Sequence, residues 1–118
     1  MTSSQLHVAV SGWLLGQPSG ANRRLLAVVE HAAALLEPGE RITVLYGRAA
    51  GHRPPADSEG VRWHAVPIAA SPTLRRVFGE RRHLAATLAA IGANVLDHGF
   101  LPLPRTGVKT CLLLHDLR

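Results

Sequence analysis

Apolar positions recur along this chain in two rhythms, and the switching between them predicts its architecture. Leu6 to Ser11 (LHVAVS) is short and nearly continuous in apolar character, as a strand buried on both faces requires. Gly12 to Gly20 carries three glycines, a proline and a serine, a long loop leading into a helical pattern at Asn22. Leu25, Leu26, Val29, Ala32, Ala33 and Leu36 then repeat at steps of three and four, one face of a helix that Pro38-Gly39 stops. Arg41 to Tyr46 (RITVLY) reads as the second strand, followed by an exposed loop from Gly47 to Gly60. In Val61 to Val66, Val61, Trp63 and Ala65 alternate with Arg62 and His64, the period of a strand with one wetter face at or near a sheet edge. Between Leu74 and Ile91 the residues Leu74, Val77, Phe78, Leu84, Leu88 and Ile91 share one helical stripe, with Gly79 weakening the middle. Val95 to His98 and Lys109 to Leu114 complete the strands, separated by the Pro102 and Pro104 loop.

The order strand, helix, strand, strand, helix, strand, strand predicts an α/β fold, a Rossmann-like open and mostly parallel sheet with flanking helices. At 118 residues the chain fits one domain with a core of its own. A single cysteine, Cys111, excludes disulfide frameworks and zinc ribbons. Apolar runs such as Cys111 to Leu114 fall far short of the roughly 18–20 residues of a membrane span. No basic flank precedes the apolar stretch Leu6 to Leu15 and no convincing cleavage site follows it, so the expected location is cytoplasmic.

The positive balance, 13 Lys plus Arg against 8 Asp plus Glu, comes from twelve arginines and Lys109. Arg75, Arg76, Arg81 and Arg82 lie within eight positions. They are either the solvated side of the second helix or a basic patch suited to phosphates or a membrane surface. Aromatic residues, 4% of the chain, do not interleave with the arginines, so no base-stacking platform is expected and nucleic acid is not an expected partner.

In an open parallel sheet ligands collect at the carboxyl ends of the strands, which directs attention to residues just after Ser11, Tyr46, His98 and Leu114. The glycines at 12, 16 and 20 do not form the dinucleotide spacing and no acid ends the second strand, so a nicotinamide site is disfavoured; the P-loop lysine is absent too. Ser19-Gly20-Ala21-Asn22-Arg23 stands at a helix mouth, where free amides and the dipole favour an anion. The same residues also serve as a simple cap and turn. His115, beside Asp116, ends an apolar run expected to be a central strand, a place for a general base, a sugar contact or a backbone-bonded strand end. Asp97-His98 repeats that pairing one strand earlier, but no ligand pair has the i, i+4 spacing of a helical metal site and none is assigned.

Taken in order, the buried first strand, the Gly-containing loop ending Ser19-Gly20-Ala21-Asn22-Arg23, Val66-Pro67 after the third strand, and Leu114-His115-Asp116-Leu117 resemble the N-terminal half of GT-B glycosyltransferases of family 4. The resemblance spans nearly the whole chain and rests on the order of individually short motifs. It implies a single N-terminal, acceptor-side domain over residues 1–118, with the C-terminal nucleotide-sugar domain absent and no transferase activity from this part alone. It implies sugar transfer from a nucleotide-sugar donor to a hydroxyl on a sugar or lipid-linked acceptor, without a metal or other cofactor. His115 would be the catalytic histidine of the cleft, with Gly20, Asn22, Arg23 and Asp116 binding substrate; Asn22 replaces the glycine usual in the motif. Peripheral membrane contact through Arg75, Arg76, Arg81 and Arg82 would suit a lipid-linked acceptor. The alternative is a stand-alone Rossmann-like binding or regulatory module without catalysis. A phospho-acceptor receiver would require acids where the first strand ends in Ser11-Gly12-Trp13.

Overall fold

A computed structural model describes residues 6–13, 20–47, 57–58, 60–68, 73–98 and 106–112, with backbone alone at 20–22 and 112. Five strands, β1 (His7–Ser11), β2 (Arg41–Gly47), β3 (Val61–Val66), β4 (Val95–His98) and β5 (Lys109–Leu112), form one sheet in the order β3-β2-β1-β4-β5. Every pairing is parallel, which makes this an α/β Rossmann-like sheet as the pattern predicts. Helix α1 (Gly20–Ala34) links β1 to β2; α2 (Thr73–Gly79), a π-helical turn (Glu80–Leu84) and α3 (Ala85–Ile91) run on from one another between β3 and β4.

The chain moves outward from β1 through β2 to β3, then returns past β1 to β4. Right-handed crossovers in opposite directions put their helices on opposite faces of a sheet. Two cores result. On one face Leu25 and Val29 of α1 pack with Ile42, Val44 and Val61. On the other Ala9, Leu45, Val66 and Leu96 pack with Leu84 and Leu88.

Of the predicted residues Leu25 and Val29 are buried, while Leu26, Ala32, Ala33 and Leu36 are half-buried against them. The C-terminus of α1 tightens before Pro38: Leu35 and Leu36 donate their N–H groups to Ala32 and Ala33, three residues back. Helix α3 ends where Gly92 adopts φ +77°, so that Gly92 and Ala93 both donate to the Leu88 carbonyl. Asn94 then zips the entering ends of β1 and β4 together, its N–H donating to the His7 carbonyl and its side-chain oxygen accepting the His7 N–H.

Three expectations change. Strand β1 is buried on one face only; Val8 and Val10 on the other are half covered by α1, leaving an apolar cavity of about 260 Å³ between them. Strand β5 is the sheet edge among the described residues, not a central strand. The uniform stripe across residues 74–91 is also broken. A π turn rotates the chain less per residue than an α turn, so Arg76, Glu80, Leu84 and Leu88 stay in line and face the core. Leu74 and Phe78 are thereby left outside, 83% and 65% exposed. At Gly79, where α2 gives way to the π turn, the helix passes close to Ile68: a Cβ there would meet Ile68 Cγ2 at 3.2 Å.

Gly12 fixes how the chain leaves β1. Its N–H donates to the Leu45 carbonyl at 2.7 Å, and an added Cβ would sit 2.6 Å from Val44 Cγ1 and 2.7 Å from the Leu45 oxygen. Gly12→Ala is expected to destabilise the domain by about 1–3 kcal/mol in urea denaturation, the scale of core overpacking. An unchanged midpoint would contradict this account of the turn.

Candidate functional site

The carboxyl ends of β1 and β4 lie side by side at the point where the strand order reverses, and the last side chain of each points into the same core. Ser11 and His98 meet there, Oγ to Nδ1 at 2.5 Å. His98 Nε2 is 3.5 Å from Glu80 Oε2. The same oxygen accepts the Trp13 indole N–H at 2.8 Å and an Arg76 guanidinium N–H at 3.0 Å. Ser11, Trp13, Arg76, Glu80 and His98 are all buried.

Local structure explains the convergence. Ser11 and His98 alternate inward with Ala9 and Leu96 on the pleat. Arg76 and Glu80 are four apart on one helix, neighbours across a single turn. Trp13 follows Gly12 out of β1 and presents its indole to the helix.

Burial sets the electrostatics. It raises the Glu80 pKa, opposed by the Trp13 hydrogen bond and by the charge and hydrogen bond of Arg76. It lowers the pKa of His98 to about 4, helped by the positive charge of Arg76, so the imidazole is neutral at pH 7. A proton on Nε2 faces the Glu80 carboxylate favourably, which leaves Nδ1 to accept the Ser11 hydroxyl hydrogen. Burial likewise depresses His7 at the opposite end of β1, where Nε2 meets Thr43 Oγ1 at 2.7 Å.

The residues singled out in the sequence are distributed differently. Gly20 and Asn22 belong to the first turn of α1, and Arg23 in that turn is exposed. His115 and Asp116 lie outside the described residues. Asp97 and His98 point to opposite faces, so they do not converge on one ion. Among the described residues no three His, Cys, Asp or Glu side chains group as metal ligands, and no helix is long and apolar enough to cross a membrane.

Arg76 requires a correction. Read as part of a solvated or patch-forming cluster, it is only 5% exposed and serves as the buried partner of Glu80, while Arg75, Arg81 and Arg82 are exposed. Trp13, Glu80 and Arg76 do not stand out as site residues in the sequence. The one signal in the sequence is the Arg76 to Glu80 spacing of four; Ser11 and His98 read there as separate strand ends, and the sheet makes them a pair.

Comparison with protein-family models, with curated proteins and with solved structures gives no match. The fold and site together define the class, an α/β protein with a Rossmann-like parallel sheet and a buried polar cluster at its switch point.

Removing one partner of a buried pair leaves the other charge uncompensated. Arg76→Met should therefore cost about 3 kcal/mol of stability, whereas Arg75→Met on the exposed neighbouring position should stay within about 0.5 kcal/mol. Equal effects in urea denaturation would contradict the inward placement of Arg76.

The depressed pKa of His98 also has a signed consequence. Between pH 6.5 and about 4 the unfolded chain binds a proton at this histidine and the folded chain does not. The stability this contributes is present above pH 6.5 and is lost as pH falls toward 4. Glu80, raised by burial, acts in the opposite sense, because its protonated form is favoured on folding. Comparing wild type with His98→Asn isolates the histidine: the stability difference should shift against the wild type as pH falls through this window. Parallel pH profiles for the two proteins would refute the assignment.

Proposed function

We propose that this chain is the acceptor-side domain of a glycosyltransferase that moves a sugar from a nucleotide-sugar donor to a hydroxyl acceptor. The observation that supports this reading best is the position of the α1 N-terminus. Helix α1 begins at Gly20 in the crossover leaving β1 at the switch point, with Arg23 exposed in its first turn. Free backbone N–H groups, the helix dipole and a guanidinium suit a phosphate or a departing diphosphate. A glycine at the first helical position allows close approach to the backbone.

The Ser11–His98–Glu80 cluster at the ends of β1 and β4 supplies rigidity, not reacting groups, because all three side chains are buried. In this reading His115, three residues beyond the end of β5, is the cleft histidine, and Asp116 contacts substrate beside it. The transferases that the sequence resembles divide their work between two Rossmann-like domains, with most of the nucleotide contacts in the second. Transfer is therefore expected from the two domains together and weak ligand binding from this one.

An amide-resolved NMR titration with UDP-glucose and GDP-mannose tests the proposal. Shifts should concentrate at Gly20 to Arg23 and at the carboxyl ends of β1 and β4. Arg23→Gln should weaken binding by about 1.5 kcal/mol or more, the value of a hydrogen bond to a charged group. Shifts scattered over the surface, or an affinity unaltered in the variant, would sink the reading. Sugar transfer by the 118-residue chain alone would overturn the division of labour.

A further inference from the structure

We infer that α1 pairs antiparallel with α1 of a second copy of this chain, along the side of the helix that borders the apolar cavity. The inference stands on different residues from the sugar-transfer reading and does not rest on it. Leu35, which is 72% exposed, rims the cavity together with Val28 and Leu6, both also exposed. Ala32 lies between Val28 and Leu35 in the same row on the helix. Among the described residues no second helix lies beside α1 on this face of the sheet, since α3 and the π turn pack against the other. Packed interiors do not leave apolar space of about 260 Å³ open beside a row of aliphatic side chains, which marks this side of α1 as a surface that a partner covers.

The charges at the two ends of the row say which partner. Arg24, one turn before Val28, is exposed, and no acid lies in the first turn of α1. At the other end Glu40 lines the cavity and Glu37 is exposed. Arg41, next in sequence, does not neutralise them from the same side. The pleat sends it with Thr43 and Leu45 to the opposite face, whereas Ile42 and Val44 pack with α1. The row is therefore basic where the helix begins, apolar along its middle and acidic beyond its end.

Such a row complements a reversed copy of itself. A parallel neighbour would set Arg24 against Arg24 and Glu37 against Glu37. A two-fold axis passing between His31 and Ala32 instead sets each Val28 against Leu35 of the other copy, because the two residues stand equally far from that centre. The same register brings each Arg24 beside the Glu37 to Glu40 turn of the other copy. Apolar contact drives the association, and the exposed ion pairs fix its direction more than its strength. A small apolar ligand could fill the cavity but leaves Arg24 and Glu37 unmatched. An anionic membrane surface repels Glu37 and Glu40 beside Leu35. A second copy satisfies the apolar row and both charged ends at once, and the two-fold closes the assembly at a dimer.

Sedimentation equilibrium of the full chain tests the inference. The mass should rise with concentration toward twice that of one chain, and dissociation should increase with salt. The axis uses every residue twice, so Leu35→Asp should weaken association on the order of a hundredfold. Arg24→Glu should weaken it about tenfold at low salt. Both positions are exposed, so circular dichroism should show both variants folded like the wild type. Cross-linking reads the register: with Cys111→Ser as background, His31→Cys should form a disulfide-linked dimer under copper phenanthroline faster than Arg24→Cys does. The inference is overturned by the mass of a single chain at every accessible concentration, by association unchanged in Leu35→Asp, or by faster cross-linking of Arg24→Cys than of His31→Cys. A monomer that native mass spectrometry finds carrying a small apolar molecule would also overturn it. The nucleotide-sugar titration and its Arg23→Gln variant report on the amino end of α1, so either idea can fail without the other.

Discussion

A single carboxylate oxygen, Oε2 of Glu80, holds the two halves of the sheet and their covering helix in one arrangement. It receives the indole of Trp13 from the exit of β1 and the guanidinium of Arg76 from the preceding helical turn, and it lies beside His98 at the end of β4. Burying an ionised carboxylate is unfavourable unless donors and an opposite charge surround it. Here those partners come from three separate stretches of chain, so satisfying the carboxylate requires the tertiary fold to be in place. The position of the helix against the sheet and the trajectory of the chain beyond β1 both follow from that requirement.

The π turn is the backbone counterpart of this cluster. Glu80 opens it, and the slower rotation through Leu84 lets one helix present first a polar pair and then an apolar pair to the same side of the sheet. Gly79 allows the helix to approach Ile68 closely at the junction. The opposite surface receives whatever the core does not take, which is how Leu74 and Phe78 come to stand among arginines. The inner network and the outer face are thus two results of one local change in helical pitch.

The polar cluster also lies where a parallel sheet places its ligands. Ser11 and His98 close the floor beneath the switch point, while Gly12 and Trp13 start the chain on its way to α1. Polar groups engaged with one another in this way stiffen the ends of β1 and β4. Arg23, by contrast, is exposed and takes no part in that cluster.

Much of the framework was determined by the sequence itself. Short β-branched runs and a three-to-four periodicity specify strands and α1, because alternation and helical pitch are local properties of the chain. The edge position of β3 followed from its wetter face, and the parallel sheet from the alternation of strands with helices. The tertiary structure alone decided which way the residues of the second helix face. Periodicity assumes one pitch throughout, and the π turn breaks it, turning Arg76 and Glu80 inward with Trp13 and His98 and leaving Leu74 and Phe78 exposed. It also decided that Ser11 meets His98, residues 87 positions apart that only adjacent parallel strands bring together. Sequence spacing records neighbours along the chain; these partners are neighbours across the sheet.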